Sequence, residues 1–203
     1  MEVIALFAHY PVGLPGLIAF GIGGLLFFGA LSAAWLRGRQ APKAADGQRD
    51  RRSILWIALQ GVGIGIAGAG RIKVDIAPDA PFALTQAVIV FALMLSAAAL
   101  FDWSSRAMGK NWALVARTRD DATLVTAGPF AFVRNPIYVA LALLMIAMAV
   151  AYGRAANLVV AFPVYAFATW MRVASEERVL RAQFGAAFDA YAARVARFIP
   201  GLI

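Results

Sequence analysis

Gly128-Pro129-Phe130-Ala131-Phe132-Val133-Arg134-Asn135-Pro136-Ile137-Tyr138 lies where a polar, charged segment gives way to a long apolar one. Gly128-Pro129 is a turn signal. Pro136 suits the first position of a helix, where its missing N–H would have no partner in any case. A helix is therefore expected to start at Pro136, with Arg134 and Asn135 at its mouth. Two plain roles are open to them: Asn135 as a helix N-cap, and Arg134 as an anchor at a membrane interface.

Composition widens that reading to the whole chain. The 203 residues are 62% hydrophobic and 15% charged, which is too apolar for a soluble domain of this size. The expected fold class is all-α, a polytopic membrane protein with one integral membrane domain over residues 1–203. There is no cysteine, which excludes disulfides, thiolate metal ligands and a cysteine nucleophile. The single histidine, His9, makes a histidine metal cluster or a Ser-His-Asp triad hard to build. No metal site is expected. The net charge of +8 is spread over the polar connections. It reads as the positive-inside signal and as attraction to anionic lipid, not as nucleic-acid binding.

Apolar runs predict five transmembrane helices, at about 14–36, 53–70, 82–101, 136–152 and 158–171, with a cytoplasmic helical extension over 172–203. The first two runs are rich in glycine (Gly16, Gly21, Gly23, Gly24 and Gly29, then Gly61, Gly63, Gly65, Gly68 and Gly70), and Gly61/Gly65 form a GxxxG pair. Small residues let helices approach closely in lipid, so tight packing is the expected use of these glycines. Trp103 and Trp112, in the polar segment 102–134, suit a membrane interface. Pro163 should kink the fifth run, and Gly185 should break the charged helix that follows it. A last amphipathic helix is expected over 186–197.

Arginine and lysine concentrate in the first connection, the third connection and the C-terminal tail. In a five-span chain these share one side, so the C-terminus is expected in the cytoplasm and the N-terminus outside. Met1-Glu2-Val3 lacks a basic n-region, so no cleaved leader is expected. The expected location is a bacterial inner membrane. The 128–138 stretch and the tail then lie at one face, where the most polar parts of the chain can build a single site.

Within that site Arg172 and Glu176 are four apart and share a helix face. An intrahelical pair is one reading, although Arg before Glu is the less favourable order for helix support. Ionisable groups at the end of a span also mark functional sites. Glu177 and Arg181 have the favourable order, which points to a structural pair. Tyr138, one turn after Asn135, reads either as an interfacial tyrosine or as a site residue. Tyr191, Arg194 and Arg197 recur every three residues, as on a basic helix lying against headgroups.

The segment from Leu124 through Gly128-Pro129, Val133-Arg134-Asn135-Pro136 and Tyr138, followed by Glu176-Glu177, Leu180, Phe184-Gly185, Tyr191 and Ile199-Pro200, resembles the isoprenylcysteine carboxyl methyltransferase and phospholipid methyltransferase superfamily. Its members carry an LV..GPY..VRHP.Y segment and a later EE..L...FG..Y..Y segment. The resemblance covers about the C-terminal half; the first two spans are not diagnostic. It implies an integral membrane enzyme that binds S-adenosylmethionine at the cytoplasmic face and methylates a lipidic or small apolar acceptor. It also implies cofactor-binding roles for Gly128, Arg134, Asn135, Tyr138, Glu177 and Tyr191, and catalytic roles for Arg172 and Glu176. Asn135 stands where histidine is usual, and Phe130 and Phe188 where tyrosine is usual. Asparagine donates and accepts hydrogen bonds but does not titrate near neutrality, so a histidine-type general base is absent at this position.

Two other classes remain open. Membrane sterol reductases share a related segment before a helical hairpin and use NADPH; the Glu-Glu…Phe-Gly…Tyr tail argues against them. A non-catalytic membrane protein is the other. Against a transporter, the spans hold almost no ionisable residues.

Overall fold

The computed structural model describes residues 10–39, 51–109 and 123–201. His9, Lys110, Trp112, Arg117, Arg119 and most of the first basic connection lie outside the described residues. Six α-helices follow one another among the described residues: α1 (Leu14–Arg39), α2 (Arg51–Gly68), α3 (Pro81–Met108), α4 (Pro136–Ala151), α5 (Leu158–Phe184) and α6 (Ala186–Ala192). The expected runs are all helical. α1, α3 and α5 are long and apolar enough to cross a membrane, whereas the apolar part of α2 (Ser53–Gly68) and α4 are shorter. α4 has 16 residues, about 24 Å against a hydrocarbon core of roughly 30 Å.

The third helix runs to Met108, seven residues past its expected end. The Asp102–Arg106 pair at 2.6 Å, one turn apart, carries it through charged residues. α5 merges the fifth span with its charged extension and stops at Gly185, whose φ of +52° favours glycine. α6 ends at Ala192, not at Arg197.

The five long helices alternate in direction. At one end Arg37 of α1 donates to Ser105 of α3 at 2.9 Å. At the other, Gln86 near the start of α3 donates to the Val150 carbonyl at the end of α4, and Asn157 donates to the Ile66 and Ala69 carbonyls at the end of α2. Two short parallel strands, β1 (Val12–Gly13) and β2 (Val74–Ile76), also pair at this second end. They were not expected; two- and three-residue strands leave no alternation to read.

α4 is the seam of the bundle. Ala140, Ala147 and Ala151 pack with Phe27, Met94 and Phe101 of α1 and α3. Met145 and Ala149 pack with Ala67 of α2 and with Ala161 and Tyr165 of α5. Alanine on both faces lets a short helix sit close to two layers.

The glycines divide by helical phase. A Cβ on Gly23 would lie 2.3 Å from Met94 Cβ, and one on Gly63 would lie 2.9 Å from the Tyr165 backbone nitrogen. Gly21, Gly24, Gly29, Gly61 and Gly65 have open space where a Cβ would be. The GxxxG pair therefore does not make the close contact; Gly63, between its members, does. Gly63→Ala is expected to cost about 1–3 kcal/mol by overpacking, and Gly61→Ala is expected to melt like wild type. Equal melting of the two variants in detergent would contradict this packing.

Candidate active site

Gly128 opens the mouth of α4. Its φ is +65°, and a Cβ there would meet the Trp103 indole nitrogen at 3.2 Å. It starts a 3-10 turn over Gly128–Ala131, in which the Pro129 carbonyl accepts from the backbone nitrogens of Phe132 and Val133. The turn places the Phe130 carbonyl 2.7 Å from the Tyr191 hydroxyl, which donates to it. Burial pushes the Tyr191 phenol up to about 12, partly opposed by Arg134, so it stays a neutral donor at physiological pH.

Arg134 then crosses to the C-terminal segment. Its backbone nitrogen donates to the Ala196 carbonyl at 2.8 Å. Its guanidinium donates to the Ala192 carbonyl at 2.7 Å, to the Val195 carbonyl, and to Glu177 Oε1 at 3.1 Å. Ala192 ends α6, so Arg134 satisfies a carbonyl that the helix itself leaves unpaired. With 10% of its side chain exposed, Arg134 is an internal cross-link and not a surface anchor. Asn135 does occupy the N-cap position of α4, but its side chain makes no capping bond. It donates instead to the Arg197 carbonyl at 3.2 Å.

Glu177 is the hub of this cluster. Arg134 reaches its Oε1, and Arg197 reaches Oε1 at 3.2 Å and Oε2 at 2.5 Å. The Arg197 guanidinium also lies 4.3 Å from the centre of the Trp170 ring, a cation–π contact. The expected Glu177–Arg181 pair is not formed; Arg181 pairs with Asp189 at 2.6 Å, in solvent. Arg197 thus turns inward, while Arg194 stays exposed. The three-residue rhythm failed here because α6 had already ended.

Consecutive residues on a helix point about 100° apart, so Glu176 serves a second cluster. The Tyr138 hydroxyl lies 2.7 and 2.8 Å from its two carboxylate oxygens. Arg172 Nε donates to Glu176 Oε1 at 3.0 Å, and Arg172 Nη1 donates to Gln60 Oε1 at 3.1 Å. The Arg172 guanidinium lies 5.2 Å from the centre of the Tyr138 ring. The Tyr165 hydroxyl donates to the Tyr138 carbonyl at 2.7 Å.

A cavity of about 140 Å³ opens beside the first cluster. Arg134, Asn135, Glu177 and Tyr191 give it a polar end; Met108, Leu180, Phe130, Phe184 and Phe188 wall it with apolar and aromatic surface. Four of the eight expected site residues therefore line one cavity. Arg172, Glu176 and Tyr138 form the adjoining cluster, and Gly128 shapes the turn between α3 and α4 without lining the cavity. Gln60, Arg197 and Trp170 were not expected. A lone glutamine in an apolar run is a usable signal, because polar groups inside spans are costly unless paired.

The sequence model of the phospholipid methyltransferase family matches residues 85–187, just over half of the chain. No curated protein matches the chain.

Proposed function

The chain belongs to the phospholipid methyltransferase family, and from that premise we propose that it transfers the methyl group of S-adenosylmethionine to a lipidic or small apolar acceptor. Membership carries a methyltransferase activity associated with membrane lipid; the donor, the acceptor and the residue roles are the proposal. The observation that carries it is the cavity in which Arg134, Asn135 and Glu177 face aromatic walls.

The donor set fits this cofactor. Arg134 suits its carboxylate and Glu177 its ammonium group, as charge-assisted partners. Phe130, Phe184 and Phe188 suit a flat purine. Asn135 Oδ1 has no hydrogen-bond donor among the described residues and lies at the cavity wall. Roughly 300–1,000 Å³ is usual for a ligand site, so binding has to widen this one. Arg197, which reaches Glu177 from the C-terminal segment, is the group whose withdrawal would open the polar end.

When bound, the sulfonium supplies an already activated methyl group, so the protein's task is mainly to position the partners. Arg172 pairs with Glu176 Oε1 at 3.0 Å and fixes the direction of the carboxylate. Glu176 Oε2 is held by Tyr138 alone among the described residues, and it is the atom that would take a proton from the acceptor. The alternating helices place both clusters at the end where α1 and α3 finish in basic residues; we assign this end to the cytoplasm. All five long helices are assigned as spans, the bilayer thinning around α2 and α4.

The test is transfer of label from methyl-labelled S-adenosylmethionine to a membrane lipid extract by the purified protein. Label in the lipid fraction is expected. Its absence with folded, donor-saturated protein would overturn the reading.

A further inference from the structure

We propose that Gln60 of α2 is a positioning residue that holds Arg172 against Glu176. The inference rests on the methyltransferase reading for its catalytic consequence, although its geometry stands alone. α2 lies outside the residues matched by the family, so nothing in that match assigns it a part in the site.

The face of α2 turned into the bundle carries Gln60, Gly63 and Ala67, all buried. Gly63 has no side chain, and this lets the backbone of α2 lie directly on Tyr165 of α5. That approach brings Gln60, 3% exposed, to two residues on successive positions of one α5 face, Thr169 and Arg172. Its Nε2 donates to Thr169 Oγ1 at 2.8 Å, and its Oε1 accepts from Arg172 Nη1 at 3.1 Å. Arginine only donates, so Oε1 must face Arg172 and the amide has one orientation.

A leucine would fill the same space in an apolar helix contact at no polar cost. An amide there is expensive in a membrane unless its bonds are made, and here both are. Gln60 on Nη1, Glu176 on Nε and the Tyr138 ring beside the guanidinium all help to hold Arg172. Without Gln60, Nη1 loses its acceptor on α2, and the guanidinium is less firmly directed at Glu176. No hydrogen bond or ion pair among the described residues joins the Arg134–Glu177 cluster to Gln60 or Thr169, so donor binding should be spared while the transfer step suffers.

The experiment compares wild type, Gln60→Leu and Gln60→Glu, each shown to be folded by its melting curve. In Gln60→Leu, kcat is expected to fall about 10- to 100-fold, with the Kd for S-adenosylmethionine within about threefold of wild type. Gln60→Glu keeps an acceptor for Arg172 and should recover part of that loss; it also serves if the leucine variant does not fold. A readout independent of turnover is the infrared carboxylate band of Glu176, identified by subtracting the Glu176→Gln spectrum. That band is expected to shift in Gln60→Leu. An unchanged band together with wild-type kcat overturns the proposal. A shifted band in a protein that transfers no methyl group supports the positioning role and defeats the methyltransferase reading alone.

Discussion

Glu177→Ala is expected to lower the melting temperature of the detergent-solubilised protein by roughly 6–20 °C and to abolish donor binding. The carboxylate is 8% exposed and holds two guanidinium groups, of which Arg134 is 10% exposed. Removing one partner of a buried pair typically costs about 3–5 kcal/mol, because the remaining charge stays out of water. Here two charges are left, and both belong to segments that need them. Arg134 joins the mouth of α4 to the end of α6, and Arg197 brings the C-terminal segment over Trp170. Asp189→Ala is the contrast. Its pair with Arg181 is about half exposed, and solvent screening leaves such a pair little weight, so this variant is expected to melt close to wild type. Melting curves that coincide for Glu177→Ala and wild type would show that the cluster does not hold the site together.

Glu176→Gln is expected to leave the fold and donor binding nearly unchanged while methyl transfer drops about 10²- to 10⁴-fold, the usual range for loss of a general base. The amide keeps the shape, and its oxygen can still accept from Arg172 Nε. It cannot take a proton, and its NH₂ group would face the Tyr138 hydroxyl, which now donates to both carboxylate oxygens. Turnover within tenfold of wild type would remove Glu176 from the chemistry and leave Tyr138–Glu176–Arg172 as a structural lock between α4 and α5.

These two glutamates show what a linear sequence can and cannot disclose. Their adjacency was legible, as were the helix start at Pro136, the turn at Gly128-Pro129 and the stop at Gly185, because each rests on a local rule of backbone chemistry. The partners of Glu177 were not. Glu177 looked like a partner for Arg181, one turn ahead, yet its partners come from positions 43 and 20 residues away in sequence. Only the closing of the chain around α6 brings them in. Arg197 was misplaced for the same reason: a three-residue rhythm implies a helix face only while the helix lasts, and α6 ends at Ala192. The GxxxG pattern failed through helical phase, since Gly63 is the glycine that faces α5. Gln60 went unremarked because α2 reads as glycine-rich packing surface; the lone amide was a usable signal, but its partners on α5 were not legible.

On the proposed reading the polar end of the cavity receives S-adenosylmethionine. The decisive experiment is calorimetric titration of the purified, folded protein with S-adenosylmethionine, with NADPH as a parallel titrant and Glu177→Gln as the control. The expected result is saturable S-adenosylmethionine binding, weakened at least tenfold in Glu177→Gln, with no heat from NADPH. Binding of NADPH in its place would contradict the account in favour of a reductase, and binding of neither would contradict it in favour of a non-catalytic protein.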